Sequence, residues 1–271
     1  MKLFAIRDES EKDKPILGYL VYYEKDKNFY IELPENADPW RIPLLLSSFA
    51  KRGEQTVNAY WSKLWVQQRI VPSDRQNIGK ILKENGLNEY DEYELLMLGQ
   101  GRCAQDDYYL EALPENELPK EVAKRFQNRV EDVVPLKDRQ LLVFFRDGMV
   151  RKCDMRPFFE KESKFLPLLN NQEYFCKVAV APGGYGICWG EMITISDKEL
   201  YKYGVEIGLS MDDFRDFVSH RVVNAAEAAE IQECSRQNIG DLVQREKLHP
   251  IKREAKSTLF LKSEVVQRKW M

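Results

Sequence analysis

The spacing of apolar residues along this 271-residue chain changes three times, and each change limits the structure that can form. Alternating, aromatic-rich runs occupy residues 1–33, whereas apolar residues recur every three or four positions over 43–98. Alternation returns over 140–196, and helical spacing resumes from about residue 213. A period of two buries one face of a strand, and a period of 3.6 buries one face of a helix. The blocks therefore predict a multidomain α+β protein.

Three domains are predicted from these blocks. Residues 1–133 form a small sheet followed by helices, residues 134–212 form a compact α+β domain built on hairpins, and residues 213–271 form a helix-rich C-terminal domain. In the first domain the predicted strands are LFAIR, LGYLVYYE and NFYIEL, and the predicted helices are 43–51, 58–69, 74–86 and 91–98. The charged segment within 114–135 is predicted to be one connecting helix.

Turn-forming residues organise the middle domain. The dipeptide DG at 147–148 lies between two alternating runs and predicts a hairpin, because both turn residues tolerate positive φ. The dipeptide GG at 183–184 predicts a second turn before the strand-like run GICWG, whereas a phosphate-binding loop would need a following helix and a lysine. Ser196 and Glu199 have the spacing of a capping box and predict a short helix that begins there.

The composition excludes several classes of protein. Hydrophobic residues make up 44% and charged residues 31% of the chain, with a formal net charge of −3, the balance of a globular protein with a buried core. No apolar run approaches the roughly 18 residues that span a bilayer. The chain also opens without an apolar signal segment, so we expect a cytoplasmic protein without membrane contact. Only two histidines and five scattered cysteines without a CxxC pair are present, which predicts no metal and no cofactor.

No group of residues has the arrangement of a catalytic site. Asp106 and Asp107 precede two tyrosines, but no nucleophile, metal site or second base is evident near them, so the pattern predicts a solvated turn. Trp61 and Trp65 have helical spacing, which is typical of a core or of a partner surface. We therefore predict no enzymatic activity and no catalytic residues. A catalytic site without a recognisable pattern is the alternative.

Positive charge is concentrated at the C-terminus. Residues 235–271 carry nine Lys/Arg against four Asp/Glu, although the whole chain is acidic. The sequence there predicts two helices joined by a tight turn. Asn224 and Glu227 form a capping box for the first helix, and Ser235 caps the second.

The second of these helices leaves polar side chains in its first turn. Its apolar stripe consists of Ile239, Leu242 and Val243. In the major groove an exposed Arg can bond guanine O6 and N7, and Gln or Asn can bond adenine N6 and N7. A capping Ser can bind phosphate together with the free amides behind it, and basic residues after the helix suit backbone phosphates. The predicted DNA-contacting residues are Ser235, Arg236, Gln237, Asn238, Gln244, Arg245, Lys247, Lys252, Arg253 and Lys256.

The segment VVNAAEAAEIQECSRQNIGDLVQREKLHPIKREAKSTLFLKSEVVQRKW resembles the winged helix-turn-helix of excisionases and MerR-type regulators. The resemblance lies in AAEAAE, SRQNIGDLV, KLHPIK, the strand LFL and a closing helix that Ser263 is expected to cap. It implies a DNA-binding domain over 213–271 in which the second helix reads the bases and a basic wing contacts phosphates. The chain ends without the coiled coil of MerR-type regulators, so dimerisation is expected through residues 1–212.

Two upstream segments carry further resemblances. DGMVRKCDMRPFF with LPLLNNQEYFCKVAVAPGGYGICWGEMITISDKELY is similar to a small bacterial domain family of unknown function, found near toxin–antitoxin-like genes. The segment from RIPLLL to YYLEALPE resembles the N-terminal subdomain of HipA-type toxin kinases, in its PL-rich helix start, Pro72, Arg75 and the LL…GRCA stretch. No phosphate-binding loop with its lysine and no HRD-type segment follows, so the kinase core is absent. An unrelated α+β domain is the alternative for this segment.

These features predict a DNA-binding transcription regulator, acting as the antitoxin or autorepressor of a toxin–antitoxin-like operon. The expected partners are double-stranded operator DNA, a kinase-like toxin or another protein bound through residues 1–212, and a second copy of the chain. The alternative is a non-catalytic adaptor that binds protein and not DNA. The pentapeptide RQNIG occurs at 75–79 and again at 236–240, but acidic residues after the first copy would repel phosphate, so no second DNA-reading helix is predicted there.

Overall fold

The computed structural model divides the chain into two compact units, Met1–Ala123 and Lys124–Met271. Both units combine sheets with helices, which confirms the predicted multidomain α+β class. The predicted domains 134–212 and 213–271 both lie in the second unit. The structure describes residues 1–114, 117–190, 192–208, 211–251 and 259–270.

One antiparallel sheet forms the base of the first unit. Its strands are β1 (Lys2–Asp8), β2 (Ile16–Tyr23), β3 (Asn28–Glu32), β4 (Thr56–Val57) and β5 (Tyr108–Leu113), in the order β4-β3-β2-β1-β5. The three strands predicted at the start of the chain are confirmed, because consecutive hairpins place them side by side. The two-residue strand β4 is too short to carry a period of its own in the sequence.

The helices of this unit are α1 (Leu44–Lys51), α2 (Ala59–Gln67), α3 (Ile78–Glu84) and α4 (Glu92–Leu98). Each lies within a predicted helical segment. Leu46, Trp65 and Leu96 bury their side chains in one core with the sheet residues Leu20 and Ile31. Helices α1, α2 and α4 thus pack on the sheet through the apolar faces that their spacing predicts, whereas α3 buries no residue.

Two expectations for the first unit are wrong. Helix α3 begins at Ile78 and not at the predicted residue 74, so Arg75 and Gln76 of the first RQNIG copy lie before the helix and Asn77 is its N-cap. Asp106 does not lie in a simple solvated turn, because both of its carboxylate oxygens accept hydrogen bonds from the buried guanidinium of Arg69. The partner residue is 37 positions away in sequence, beyond the reach of a local pattern.

Two small antiparallel sheets form the first part of the second unit. The larger has the order β12-β8-β7-β6, and the smaller has the order β11-β10-β9. Their strands are β6 (Val130–Pro135), β7 (Gln140–Phe145), β8 (Val150–Asp154), β9 (Ala179–Val180), β10 (Gly186–Trp189), β11 (Ile193–Ser196) and β12 (Val205–Glu206). The helices in this part of the chain are α5 (Lys120–Gln127), α6 (Arg156–Lys161), α7 (Leu166–Asn170), α8 (Gln172–Phe175), α9 (Asp197–Tyr203) and α10 (Met211–Arg221).

The segment 114–135 is only partly the single helix that its sequence predicts. Helix α5 is present, but the chain then enters strand β6, which pairs with β7. The register shifts between Val130 and Asp132, so the charged pair Glu131–Asp132 interrupts the alternation of β6. The predicted domain boundary after residue 133 falls inside this strand.

The predicted turns of the middle region are confirmed. The dipeptide at 147–148 joins β7 to β8, with Gly148 at a φ of 87°. Gly183 and Gly184 also have positive φ and lead into strand β10, not into a helix. Ser196 and Glu199 form the predicted capping box of α9.

The last elements are β13 (Val222–Asn224), α11 (Ala225–Gln232), α12 (Arg236–Gln244), β14 (Leu259–Leu261) and α13 (Lys262–Gln267). Strands β13 and β14 pair antiparallel, with Val223 opposite Phe260. Helix α10, predicted as the start of the C-terminal domain, packs its Phe217 on Phe144 of the middle sheet, with ring centroids 5.2 Å apart. The helical pair therefore begins after β13.

Candidate nucleic-acid interface

Helices α11 and α12 are joined by a three-residue turn. Asn224 accepts hydrogen bonds from the N–H groups of Ala226 and Glu227, and the Glu227 carboxylate accepts one from the Asn224 N–H, so the predicted capping box is formed. Glu233 ends α11 in the left-handed conformation, with a φ of 55°. Ser235 then caps α12 by accepting the Asn238 N–H at 3.2 Å. Local chemistry thus stops one helix and starts the next within a single turn.

A small apolar core fixes the angle between these two helices. Ala228 and Ala229 of α11 are buried and let the helices approach closely, and Ile239 of α12 is 2% exposed. Leu248 after α12 and Phe260 of β14 are 1% exposed and complete the core. Leu242 and Val243 are half-buried beside it, so the predicted apolar stripe of α12 is the face that packs.

The first turn of α12 presents its polar side chains to solvent. Ser235, Arg236, Gln237 and Asn238 are all exposed. Among the described residues, the side chains of Arg236 and Gln237 form no ion pair or hydrogen bond. Either side chain could therefore bond a base edge without first breaking a hydrogen bond or ion pair to a described residue.

The end of α12 carries the next predicted residues. Gln244, Arg245 and Lys247 are exposed, and Arg245 is the C-cap. Glu246 adopts a φ of 54°, which turns the chain so that Leu248 enters the core directly after Lys247. Exposed cationic side chains are thus held on a short, anchored segment, the arrangement expected of phosphate contacts.

Of the predicted wing, the structure describes the two strands at its base only. Strands β13 and β14 pair as a two-stranded sheet, which confirms the predicted strand LFL. Lys252, Arg253 and Lys256 lie outside the described residues. Their predicted contacts with phosphates stay predictions.

The closing helix differs from its prediction in one respect. Ser263 does not cap it, because β14 runs directly into α13, which begins at Lys262 with Leu261 at the N-cap position. Ser263 is instead buried in the first turn. Helix α13 supports the loop after α12, since the Glu264 carboxylate accepts the His249 N–H at 2.9 Å and lies 2.8 Å from Nδ1 of the same residue. Sequence spacing did not predict this contact.

A buried ionic cluster lies where α10, β6 and α13 meet. Arg221 Nε lies 3.0 Å from Asp132 Oδ1, and both side chains are buried. Burial raises the pKa of Asp132 to about 6, against the opposing effect of the Arg221 charge. Burial and the neighbouring Arg221 charge lower the pKa of Lys262. The cluster ties the middle sheet to α10 and α13, the helices on either side of the α11–α12 pair.

Comparison with known families supports the resemblance predicted for the middle region. A family described as a protein of unknown function (DUF2442) matches residues 130–206, which span strands β6 to β12. That description assigns no activity. No curated protein matches the chain.

Among solved structures, a protein of Nitrosomonas europaea described as a "Putative DNA Binding Protein" matches at 20% identity with a TM-score of 0.26. The match covers 45% of this chain and 79% of that chain. A similarity this weak carries no inference about function.

Within the described ranges, no helix is long and apolar enough to cross a bilayer. In the same part of the chain, no three His, Cys, Asp or Glu side chains are grouped so that they could hold a metal ion.

Proposed function

We propose that this protein is a DNA-binding transcription regulator whose helix α12 reads base edges in the major groove. The observation that carries the proposal is the division of α12 into two faces. Ile239 packs into the core, while Arg236 and Gln237 are exposed in the first turn, directly after a tight turn from α11. A helix-turn-helix uses these positions to contact bases.

Charge adds support to this proposal. Arg236, Arg245 and Lys247 are exposed cations on one short segment of an otherwise acidic chain, and phosphate neutralisation supplies most of the non-specific affinity for DNA. Asp241 is the acidic residue of α12 and is half-buried. We infer that the backbone contacts come from the end of α12 and from the wing.

We further propose that the regulator acts on its own operon as an autorepressor or antitoxin, without catalytic activity. Residues 1–212 would dimerise or bind a protein partner such as a kinase-like toxin. The support for this finer role is the resemblance of those residues to families found with toxin–antitoxin genes. An adaptor that binds protein and not DNA is the competing function.

The test is a fluorescence-anisotropy titration of the full chain with DNA from upstream of its own gene and with shuffled DNA of the same length. The double variant Arg236→Ala/Gln237→Ala is compared with the control Arg75→Ala/Gln76→Ala, which alters the other RQNIG copy. We expect tight binding to upstream DNA that only the first variant weakens. Absence of binding to either DNA would refute the proposal and favour the adaptor.

A further inference from the structure

A cleft in the second unit is formed by the end of α5, the residues that follow it, and helix α9. Its volume is about 240 Å³, below the roughly 300–1,000 Å³ of drug-sized sites, so it suits a small ligand. The residues that line it include Arg125, Asn128, Arg129, Asp197, Lys198 and Lys202. No residue of α11 or α12 takes part, so this cleft is separate from the DNA-binding function proposed above.

Positive charge dominates the lining of this cleft. Four of the described lining residues are cationic, and Asp197 is the acidic residue among them. The Asp197 carboxylate is already engaged, because its Oδ2 accepts a hydrogen bond from Arg129 Nη1 at 2.6 Å and both side chains are buried. The charges of Arg125, Lys198 and Lys202 are therefore not offset by a carboxylate of the described lining.

The two lysines are like charges held close together. Lys198 and Lys202 lie four residues apart on α9, and both are exposed. Among the described residues, neither ammonium forms an ion pair with a carboxylate. The nearby carboxylate of Glu199 is used in the capping box, where it accepts the Ser196 N–H and hydroxyl. Like charges at this spacing destabilise a helix, so an anion bound between the two lysines would remove an unfavourable interaction.

The buried pair beneath the cleft holds its two sides in place. Arg129 is 1% exposed, and its guanidinium lies 3.9 Å from the ring centroid of Tyr185. Because Arg129 is buried, its role is to join the end of α5 to α9 through Asp197, not to bond a ligand. The donors that solvent can reach are the exposed side chains of Asn128, Lys198 and Lys202 and the half-buried Arg125, the last of these on the opposite side from the lysines. A ligand would thus meet donors that are already positioned.

We propose that this cleft binds the phosphate group of a small organic phosphate. A phosphate monoester carries a charge of roughly −1.5 to −2 at pH 7 and has three acceptor oxygens. The ammonium groups of Lys198 and Lys202 and the Arg125 guanidinium supply charge-assisted hydrogen bonds to these oxygens, and the Asn128 amide supplies a neutral one. A neutral ligand would leave the repulsion between the lysines in place, and a monoanion would offset less of it.

The test is isothermal titration calorimetry of the full-length protein at about pH 7.5 and low salt, with three ligands. Phenyl phosphate is the probe. Phenyl sulfate is the matched control, because it has the same ring and a tetrahedral anion with a single negative charge. Inorganic phosphate has the dianion without the organic group. We expect saturable binding of phenyl phosphate, about tenfold tighter than that of phenyl sulfate. Weaker binding of inorganic phosphate supports an organic ester, and the reverse order would overturn it in favour of free phosphate.

Two double variants locate the binding site. Lys198→Ala/Lys202→Ala should weaken phenyl phosphate binding about tenfold, because it removes two of the accessible cations. Lys137→Ala/Lys177→Ala is the control, since it removes the same charge from exposed lysines of the same unit that do not line the cleft, and it should bind as wild type does. The proposal is overturned if phenyl phosphate does not bind, if phenyl sulfate binds as tightly, or if both double variants weaken binding equally.

The same two double variants are also titrated with random DNA, because DNA is another source of phosphate groups. We expect both to bind random DNA with equal affinity. If Lys198→Ala/Lys202→Ala binds random DNA more weakly than the control does, the cleft contacts the DNA backbone, and the assignment to a small organic phosphate is wrong.

Discussion

Asp132 and Arg221 form a buried ion pair, with Asp132 Oδ1 3.0 Å from Arg221 Nε. Asp132 belongs to the sheet of the middle region, and Arg221 is the last residue before β13, the strand that leads into helices α11 and α12. Two buried charges at this point make the connection between the two parts sensitive to protonation, since the charged forms are stabilised mainly by each other.

The first prediction concerns the pH dependence of stability. Burial raises the pKa of Asp132 to about 6 in the folded protein, against an ordinary value of 3.8. Between these values the folded state binds a proton that the unfolded state does not, so the contribution of this group to stability increases as pH falls from 7 to 4. The free energy of unfolding of wild type minus that of Asp132→Asn should rise by about 2–3 kcal/mol over this range.

Urea unfolding at a series of pH values measures this difference, and Asp154→Asn is the control variant. A hydrogen bond from Arg156 lowers the pKa of Asp154 below its ordinary value of 3.8. The stability that this carboxylate contributes is therefore lost only as pH falls through about 3.8 towards its folded pKa. The free energy of unfolding of wild type minus that of Asp154→Asn should stay flat above about pH 4.5. A flat difference for Asp132→Asn as well would contradict the assignment of a protonatable buried pair.

The second prediction concerns Gly186, which opens strand β10 with a φ of 147°. A Cβ there would lie 2.1 Å from the Ile195 carbonyl oxygen, which is backbone and cannot swing away. Gly186→Ala should lower the free energy of unfolding by at least about 3 kcal/mol. Gly190→Ala, with positive φ but no atom within 4 Å of its Cβ, should cost only about 1–2 kcal/mol. Equal costs in thermal unfolding would argue against this strand geometry.

Two adjacent residues of α12 give a third, paired prediction. Ile239→Ala removes a buried side chain and should destabilise the second unit by about 2–4 kcal/mol. Gly240→Ala, where a Cβ meets no atom within 4 Å, should stabilise the helix by about 0.5–1 kcal/mol. Denaturant unfolding followed by circular dichroism measures both, and the opposite order of stabilities would show that the packed face of α12 is misassigned.

Features that depend on local chemistry could be predicted from the sequence. The capping boxes at Ser196 and Asn224 and the cap at Ser235 are all present, because a cap and its partner lie within three residues of each other. The exposed first turn of α12 could also be predicted, because the apolar residues that define its buried face lie within four positions of each other.

Features that depend on distant partners could not be predicted. Strand β13 has three residues, which is too short to show the alternation of apolar and polar residues that predicts a strand. Its Val223 pairs with Phe260, which is far along the chain. The Arg69–Asp106 pair depends on a contact between segments that only the folded chain brings together. Serine is a residue type that often caps helices, but Ser263 does not cap α13, because β14 is followed directly by the helix and Leu261 occupies the N-cap position.

The fourth prediction concerns salt. Arg245→Ala and Lys247→Ala should each reduce the slope of log K against log salt concentration by about 0.9 for each phosphate that the variant no longer neutralises, without a change in preferred sequence. The same result is expected for Lys252→Ala and Lys256→Ala from the predicted wing. Lys177→Ala, an exposed lysine of the middle region, is the control and should leave the slope unchanged. A salt-independent affinity would contradict phosphate binding by these side chains.

The central claim is that the first turn of α12 reads bases. The decisive measurement is the ratio of the affinity for operator DNA to the affinity for random DNA. It is made for Arg236→Ala, for Gln237→Ala and for the control Arg75→Ala, and the melting temperature of each protein is measured as well. Arg236→Ala and Gln237→Ala should each lose about 1–3 kcal/mol at the operator and little on random DNA, with melting temperatures close to wild type. If both variants bind the operator as wild type does, helix α12 is not the reader and the central claim is wrong.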